Sequence, residues 1–472
     1  MLCTVIKGPD FTQSRQQLAK ATFAELRLDF FESITIDKIN DLRKEFLIPM
    51  IFTLRSKQQG GNYSENENER IKAIQSLCVL EPEYIDLEYH VPESFISEIK
   101  KRHPNIKIIA SYHNFEKMPP LGPILNELKK MPADFFKIAV TPQSSNESLE
   151  ILDFMKNHSS NVFAMGMGPY GESTRVLGPL FGAKIIYGSP DHFPVKTLSE
   201  VYQIHRHGPQ TVIYGLLGEN VSKSLSHFSH NQVFSNLDLQ CVYVKFPIKT
   251  DQLRDFLTLA RRMNFKGLSV TMPLKEAVIP LIDEVHSSVG AVNTLKFENG
   301  KIIGYNTDGK GALDALEEKI SVKGKKIVCI GAGGAAKGIV AEAIKRGAIV
   351  TILNRNGNRA LELAKEMNCL GGSLKSLSEH PYDILINTTP SHMPIGSEGI
   401  IPGTIAMDIT TQPQNTQFLH EAKKKGCILV FGYEMFVNQA VEQFKIWFDG
   451  KIDLIKTKAI IERTVLENIQ KD

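Results

Sequence analysis

A lysine in an apolar segment is the first feature of this sequence that could do chemistry. Lys137 lies within Phe135–Val140, whose other members are all apolar. A primary amine buried there loses its hydration unless it is paired or uncharged. An uncharged amine can attack a carbonyl carbon to form a Schiff base, and His113, in a neighbouring β-rich run, could move the protons. An ion pair of Lys137 with Glu25 or Glu88 is the purely structural alternative.

Three arginines could hold an anionic substrate near this lysine. Arg27 lies in one β-rich run, Arg55 ends the next, and Arg175 follows a serine and a threonine. A guanidinium group binds carboxylates through paired hydrogen bonds. The first part of the chain therefore predicts a site for an anionic carbonyl compound.

Polar clusters interrupt the apolar segments of the second half of the chain. The serines of residues 222–226 open a helical pattern and could bind a carboxylate. Lys275 follows a strand-like run that contains Thr271, and Asn293 and Asp308 lie in two further clusters. Any one cluster is most simply an N-cap or a turn. Four of them ahead of a glycine-rich motif favour a binding site.

The glycine-rich motif begins directly after an apolar run at residues 325–330. Residues 331–336 read Gly-Ala-Gly-Gly-Ala-Ala and precede a helical pattern, as in the G-x-G-x-x-A form of dinucleotide-binding folds. We therefore expect a cofactor pyrophosphate to bind at a helix N-terminus. The residues predicted to contact it are Gly331, Gly333, Gly334 and Ala335.

The end of the next strand indicates which cofactor is bound. NAD sites usually carry Asp or Glu there, but this chain has Asn354 and Arg355, with Arg359 shortly after. Because a guanidinium pairs with a 2′-phosphate, the sequence predicts NADP(H). The alternative is that these arginines are surface charges and the site accepts either cofactor.

The elements that must position these residues follow a regular order. From residue 1 to about 206, eight β-rich runs alternate with helical patterns, which favours a closed (β/α)8 barrel over a doubly wound sheet. Barrel enzymes carry their active groups at the C-terminal ends of the strands. The predicted strands are 3–6, 23–29, 47–55, 84–89, 107–113, 135–140, 161–167 and 184–189, with helices at 69–80, 92–102, 121–131 and 148–158.

Composition excludes several classes of protein. A chain of 472 residues predicts two or three domains. The net charge of +3 gives no electrostatic footprint for nucleic acid, and no apolar run is long enough for a membrane span. With six scattered cysteines and no secretory signal, we expect a soluble cytoplasmic protein with reduced thiols and no metal site. His192, His205 and His207 could be ligands, but the last two are more simply exposed residues.

Six motifs of the first half resemble type I 3-dehydroquinate dehydratase, in family order. They are Glu-Leu-Arg-Leu-Asp at 25–29, Thr-Leu-Arg-Ser at 53–56, Asp-Leu-Glu at 86–88, Ser-Tyr-His-Asn-Phe at 111–115, Phe-Lys-Ile-Ala at 136–139 and Met-Gly-Met-Gly at 165–168. The resemblance implies that Lys137 forms the Schiff base and that His113 is the general acid/base. It also implies a set of substrate-binding residues: Glu25, Arg27, Arg55, Arg175 and Ser189.

Two positions depart from this family. Gln59 stands where the family has a glutamate that orients the catalytic histidine. A neutral amide can hydrogen-bond the imidazole but stabilises its charged form less than a carboxylate does, so we expect a slower dehydratase or a pH profile shifted downward. The family's late Ser-Ala-Pro-Gly-Gln loop aligns with residues 188–192, where His192 replaces the glutamine.

The second half, from about residue 217 to 448, resembles shikimate dehydrogenase. The resemblance implies that Lys275 and Asp308 form the catalytic dyad. It implies contacts of Asp308 and five further residues with shikimate: Ser222, Ser224, Thr271, Asn293 and Gln439. The family's Tyr-Asp-x-x-Tyr-x-Pro turn reads Met-Asp-Ile-Thr-Thr-Gln-Pro at 407–413, so both tyrosines are missing.

The two resemblances are linked by chemistry, because the dehydratase product is the dehydrogenase substrate. The sequence therefore predicts a bifunctional enzyme of aromatic amino-acid biosynthesis. The predicted parts are a barrel at 1–207, a substrate domain at 211–308 completed by helices at about 435–472, and a Rossmann domain at 309–434. An NAD-dependent quinate/shikimate dehydrogenase and a dehydrogenase with a non-catalytic barrel remain alternatives.

Overall fold

The computed structural model describes residues 1–32, 34–64, 66–158, 160–190, 193–287 and 289–469. The chain forms two compact units. The first contains Met1–Thr211 and Thr258–Met263, and the second contains Val212–Leu257 and Asn264–Asp472. His192 lies outside the described residues, so its predicted part in the late loop stays a prediction.

The first unit is built on eight parallel strands in the order β7-β6-β5-β4-β3-β2-β1-β8. The strands β2, β3, β4 and β7 are buried at every position, as expected for a parallel sheet covered on both faces. The strands are β1 Leu2–Ile6, β2 Ala24–Arg27, β3 Met50–Thr53, β4 Tyr84–Glu88, β5 Lys107–Asn114, β6 Phe135–Val140, β7 Val162–Gly166 and β8 Ile186–Gly188.

Helices follow these strands in alternation, and four of them begin at polar N-caps. The side chains of Asp10, Thr35, Asn66 and Ser144 each accept a backbone hydrogen bond from the first turn of their helix. The helices are α1 Phe11–Leu18, α2 Ile36–Glu45, α3 Glu67–Cys78, α4 Glu93–Arg102, α5 Leu121–Leu128, α6 Ser145–Lys156 and α7 Glu172–Leu177.

The strand number and order of the barrel prediction are confirmed, with three differences. The order places β7 and β8 at its two ends, and within the described ranges no ladder joins them. The predicted third strand, 47–55, shortens to Met50–Thr53. The predicted second strand was also too long, because residues Leu28–Phe30 turn into a 3-10 helix. This turn begins where Arg27 pairs with Asp29, so a local ion pair ends the strand.

The second unit begins with a six-stranded mixed sheet in the order β10-β9-β11-β13-β14-β12. Strands β9, β10 and β11 are parallel, whereas β13 is antiparallel to both β11 and β14. The strands are β9 Val212–Gly218, β10 Cys241–Pro247, β11 Phe265–Val270, β12 Glu284–Val285, β13 Thr294–Glu298 and β14 Lys301–Tyr305. The helices are α8 Ser226–Asn236, α9 Leu253–Arg262 and α10 Leu274–Ala277.

A six-stranded parallel sheet follows, in the order β17-β16-β15-β18-β19-β20. This is the strand order of a Rossmann fold, with β15 at the point where the order reverses. The strands are β15 Lys326–Ile330, β16 Ile349–Asn354, β17 Leu370–Ser373, β18 Ile384–Asn387, β19 Ile405–Asp408 and β20 Ile428–Val430. The helices are α11 Asp308–Glu317, α12 Gly334–Lys345, α13 Gly357–Met367, α14 Gln417–Lys424, α15 Gly432–Trp447 and α16 Leu454–Ile469.

The last two helices return to the mixed sheet. Phe444 and Trp447 of α15 and Ile461 of α16 share a buried cluster with Tyr214 and Tyr243 of the sheet. This packing agrees with the expected completion of the substrate domain by C-terminal helices, while the exact domain boundaries stay predictions. No helix in the described part of the chain is long and apolar enough to cross a membrane.

Helix α11 approaches its neighbours at two glycines. A Cβ atom on Gly309 would lie 2.2 Å from the carbonyl oxygen of Gly338 in α12, and one on Gly311 would lie 2.6 Å from the backbone nitrogen of Gln439 in α15. Both obstacles are backbone atoms, which cannot move aside as a side chain can. The position of Asp308, the first residue of α11, therefore depends on these glycines.

We predict that Gly309→Ala lowers the free energy of unfolding by about 1–3 kcal/mol, because α11 must move away from α12. Urea denaturation measures the change. Gly122→Ala in α5 is the matched control, since a Cβ there meets nothing within 4 Å, and we expect it to be neutral or slightly stabilising. Equal stability of both variants would show that α11 and α12 are not in close contact.

Candidate active sites

Lys137 sits in a cluster of charged side chains inside the barrel. Its Nζ lies 3.1 Å from Asp86 Oδ2 and 3.4 Å from Glu25 Oε1. All three side chains are at least 96% buried, and Glu25 Oε1 also accepts a hydrogen bond from Thr53 Oγ1 at 2.8 Å. The amine is thus held by two carboxylates, one from β2 and one from β4, which β3 separates in the sheet.

Arg55 connects this cluster to His113. Arg55 Nη2 donates to Asp86 Oδ1 at 2.9 Å, and Nη1 lies 2.9 Å from His113 Nδ1. Because a guanidinium has no acceptor atom, His113 Nδ1 must accept this hydrogen bond. The imidazole is therefore uncharged here and carries its proton on Nε2.

The environment of the two titrating groups agrees with this arrangement. Burial alone would raise the pKa of Asp86, but the charges of Arg55 and Lys137 outweigh it and lower that pKa well below its usual range. Loss of hydration, followed by the charges of Arg55 and Lys137, lowers the pKa of His113 well below 6.5. In this centre Asp86 is consequently ionised and His113 is neutral.

Two expectations about this centre need correction. Gln59 does not contact the imidazole: its Oε1 accepts from the backbone N–H of His113 at 2.8 Å. Of the two partners in the structural alternative, Glu25 does pair with Lys137, whereas Glu88 lies 3.4 Å from Arg70 Nη2 and accepts from the backbone N–H of Ser56. Gln59 thus supports the backbone that carries His113, and Glu88 joins β4 to α3.

The remaining predicted dehydratase residues surround the same end of the sheet. Arg27 makes two hydrogen bonds to Asp29, at 2.9 and 2.8 Å. Burial lowers the pKa of Arg175 to about 10, which leaves it charged at neutral pH. The buried polar atoms that have no hydrogen-bond partner among the residues that the structure describes include Arg55 Nε, Arg175 Nε, Ser189 Oγ and the Tyr187 hydroxyl. A polar ligand could satisfy such atoms.

The histidines of the linker carry no comparable arrangement. His205 is exposed as predicted. His207 is not exposed, contrary to the prediction. Its Nε2 lies 2.6 Å from the carbonyl oxygen of Tyr202. Burial lowers the pKa of His207 to about 4.

The second unit contains a cavity of about 370 Å³. Lys275 forms an ion pair with Asp308 Oδ2, and Asn293 Nδ2 donates to Asp308 Oδ1 at 2.8 Å. Seven residues that the sequence analysis singled out line this cavity. Six are the predicted catalytic and substrate-binding residues Ser224, Thr271, Lys275, Asn293, Asp308 and Gln439, and the seventh, Ala335, belongs to the predicted glycine-rich turn.

One predicted serine lies elsewhere. Ser222 is exposed and lines a second cavity rather than this one. Ser226, the first residue of α8, is buried and lines the main cavity with Ser224. The sequence contained both serines, but the loop geometry that decides between them is not visible in a pattern. Gln443 is a further lining residue that the sequence did not indicate.

The structure also shows where the turn at 407–413, which lacks the family's two tyrosines, lies. Met407 is fully buried in the core beneath the parallel sheet, so it contributes nothing to the cavity. Thr411 and Gln412 line the cavity. Thr411 thus places a hydroxyl at the position of the second missing tyrosine, and Gln412 places an amide next to it.

The glycine-rich turn lies beside this cavity. Gly331 has a φ of 118°, which favours glycine, and a Cβ there would lie 2.3 Å from Thr388 Oγ1. A Cβ on Gly333 would meet nothing within 4 Å, and Gly333 caps α12 without a side-chain hydrogen bond. Open space in front of free helix N–H groups suits a pyrophosphate. A Cβ on Gly334 would lie 3.3 Å from Lys275 Cβ.

The residues predicted to select the cofactor follow β16. Asn354 ends this strand, and its Nδ2 donates to the carbonyl oxygen of Asn356 at 3.1 Å. Arg355 and Arg359 are exposed at and just inside the start of α13. Their positions agree with binding of a 2′-phosphate but do not test it.

Comparison with known protein families matches nearly the whole chain. Type I 3-dehydroquinase matches residues 2–208. The substrate-binding domain of shikimate dehydrogenase matches 216–295, shikimate/quinate 5-dehydrogenase 314–410, and the shikimate 5′-dehydrogenase C-terminal domain 432–453. The barrel with its buried lysine is followed in the chain by a unit that has a cavity beside a glycine-rich turn. These features and the family matches thus define a dehydroquinase fused to a dehydrogenase.

Similar whole proteins have the same organisation. The shikimate biosynthesis protein AroDE of Chlamydia pneumoniae is 36% identical over 95% of each chain. The chloroplastic bifunctional 3-dehydroquinate dehydratase/shikimate dehydrogenase of Arabidopsis thaliana is 34% identical over 90% of this chain and 77% of the relative. A shikimate dehydrogenase structure from Thermus thermophilus in complex with shikimate covers 55% of this chain and 100% of its own, with 31% identity and a TM-score of 0.51. The chain belongs to the family of bifunctional 3-dehydroquinate dehydratase/shikimate dehydrogenases, enzymes of the shikimate pathway.

We predict that His113 stays neutral from pH 8 to below pH 6.5, because its pKa is lowered in the folded protein. NMR of labelled histidines should show its ring signal unchanged over that range, with His113→Gln used to assign it. Since the unfolded chain takes up this proton near its ordinary pKa, His113 also lowers the free energy of unfolding as the pH falls below about 6.5. A titration midpoint at or above 6.5 would contradict the hydrogen bond from Arg55.

Proposed function

We propose that this enzyme converts 3-dehydroquinate to 3-dehydroshikimate in the barrel and reduces that product to shikimate with NADPH in the second unit. The observation that carries the proposal is the pairing of each lysine with its partner groups. Lys137 lies between two carboxylates and near a neutral His113, and Lys275 pairs with Asp308 at a cavity beside the glycine-rich turn.

The dehydratase step uses Lys137 as nucleophile. The amine of Lys137 adds to the ketone carbon of 3-dehydroquinate, and the adduct takes up one proton and loses one water to give an iminium ion. The iminium withdraws electrons, so His113 can take a proton from the neighbouring carbon. The substrate hydroxyl then leaves as water with that proton. Hydrolysis of the iminium consumes one water, releases 3-dehydroshikimate and restores the lysine, so one water is lost overall.

Substrate binding prepares His113 for this role. In the ligand-free centre, Arg55 Nη1 occupies the Nδ1 lone pair of His113. A substrate oxygen that replaces His113 as the acceptor of Arg55 leaves Nδ1 free to take a proton. Glu25, Arg27, Arg175 and Ser189 supply further contacts for the hydroxyls and the carboxylate.

The reduction step takes place in the cavity of the second unit. NADPH, when bound at the glycine-rich turn with its 2′-phosphate at Arg355 and Arg359, supplies the hydride. The Lys275 ammonium donates a proton to the ketone oxygen and stabilises the negative charge that develops there. Asp308 holds Lys275 in place. Ser224, Ser226, Thr271, Asn293 and Gln439 are the residues that bind the substrate.

Other conclusions from the sequence stay predictions. They concern the cytoplasmic location and the lack of nucleic-acid partners. The two alternatives differ in outcome: a non-catalytic barrel would form no enone from 3-dehydroquinate, and a quinate/shikimate dehydrogenase would favour NAD.

We predict that the two activities are lost separately. Lys137→Ala should lower formation of the conjugated enone from 3-dehydroquinate by roughly 10⁴-fold or more, because the nucleophile is missing. Lys275→Met should lower NADPH oxidation with 3-dehydroshikimate by roughly 10²–10⁴-fold, because the proton donor is missing. Each variant should keep the activity that the other loses, which shows that neither substitution unfolds the whole chain.

Borohydride added with 3-dehydroquinate tests the covalent step in the same assay. It should inactivate the dehydratase of the wild-type enzyme and of Lys275→Met, because reduction of the iminium fixes the substrate on Lys137. Enone formation that survives in Lys137→Ala would refute the Schiff base. If the wild-type enzyme forms no enone from 3-dehydroquinate, the alternative of a non-catalytic barrel is favoured.

We predict that Arg355→Ala combined with Arg359→Ala raises KM for NADPH by about 10- to 100-fold, because charge-assisted hydrogen bonds to the 2′-phosphate are lost. KM for NADH should change little. Lys365→Ala removes a charge from the other end of α13 and serves as control. An equal rise for both cofactors would show that these arginines do not select NADP.

A further inference from the structure

Tyr187 on β8 covers the amine of Lys137. Lys137 Nζ lies 4.0 Å from the centroid of the Tyr187 ring, a distance at which an ammonium group is attracted to an aromatic face. The ring also stacks on Phe163, with centroids 6.3 Å apart. Tyr187 is 4% exposed, so its position is fixed by the barrel interior.

The hydroxyl of Tyr187 makes no hydrogen bond to any residue that the structure describes. It is also buried. Burial, together with the charge of Glu25, raises the pKa of Tyr187 well above 10. The group is therefore a neutral hydrogen-bond donor at neutral pH. An unsatisfied buried hydroxyl costs about 1–3 kcal/mol, a cost that a phenylalanine would avoid.

We propose that the Tyr187 hydroxyl is a catalytic hydrogen-bond donor to the oxygen of the carbonyl group that Lys137 attacks. This inference rests on the dehydratase function proposed above. It adds a residue that neither the motifs nor the charged cluster indicated.

The position of the ring beside Nζ supports this role. The ketone carbon must reach bonding distance of Nζ, which brings its oxygen next to the ring that covers Nζ. Lys137 is itself only 3% exposed, so any rearrangement that admits the substrate to Nζ also opens the space at Tyr187.

Hydrogen bonding by a neutral donor suits the chemistry of addition. As the amine adds, negative charge develops on the carbonyl oxygen, and a donor aimed at that oxygen stabilises the transition state. The adduct then loses this oxygen as water, a step that the same donor assists. The phenol keeps its proton as a hydrogen-bond donor throughout, so the balance of the reaction is unchanged.

Tyr187→Phe tests the proposal because it keeps the aromatic face and removes only the hydroxyl. We expect kcat of the dehydratase to fall by roughly 10²-fold with a much smaller change in KM, and the borohydride inactivation to slow in parallel. Reduction of added 3-dehydroshikimate by NADPH should be unchanged. The melting temperature should be equal to that of the wild-type protein or higher.

Tyr382→Phe is the matched control. The Tyr382 hydroxyl donates to the carbonyl oxygen of Gly399 at 2.7 Å and accepts from the backbone N–H of Ile401 at 2.9 Å. This variant should lose stability and keep full dehydratase activity, the opposite pattern to Tyr187→Phe.

The outcomes separate the two proposals. An inactive wild-type dehydratase would refute the proposed function itself. An active wild type with an unchanged kcat in Tyr187→Phe would refute only the role of Tyr187. A fall in kcat together with a fall in melting temperature would show that the hydroxyl is satisfied in the free protein, and would overturn the inference.

Discussion

Lys137 can be kept inside the barrel because one carboxylate, Asp86, neutralises it and binds Arg55 at the same time. Removing two cations from water costs several kcal/mol per ion unless each has a partner of opposite charge. Asp86 and Glu25 supply that charge. The arrangement also fixes Arg55, which in turn decides the protonation state of His113. The chemistry of the barrel thus follows from the requirement that its buried charges balance.

The second unit meets the same requirement in another way. Asp308 pairs with Lys275 and also accepts from Asn293. It is the first residue of α11, where the helix dipole favours a negative charge. The close approach of α11 to its neighbours at Gly309 and Gly311 fixes the carboxylate relative to the cavity. A close contact between helix backbones therefore governs where Lys275 is held.

The sequence predicted the frame and most of both centres. Strand order in the barrel and the glycine-rich turn follow from local patterns that the structure reproduces, and the pairing of Lys275 with Asp308 follows from the resemblance to shikimate dehydrogenase. Contacts made across loops were less accessible. The choice between Ser222 and Ser226 depends on how one loop enters α8.

Two further residues show why some roles are hidden in a sequence. Gln59 stands where the motif predicts a contact with the imidazole, yet it binds the backbone of His113, because nothing in a motif distinguishes main-chain from side-chain partners. Tyr187 belongs to a short apolar strand and has the pattern of a core aromatic residue. Only the distance of its ring from Lys137 and the unpaired hydroxyl distinguish it.

The near-complete enclosure of Lys137 bears on which molecules can reach it. An amine that condenses with ketones would also condense with small aldehydes and sugars dissolved around the protein. With 3% of its surface exposed, this amine is shielded from such adventitious carbonyl compounds. A molecule that supplies its own oxygens to Arg55, Arg175 and Ser189 can compensate the opening of the barrel. Enclosure thus protects the reactive group from damage as well as holding it in place.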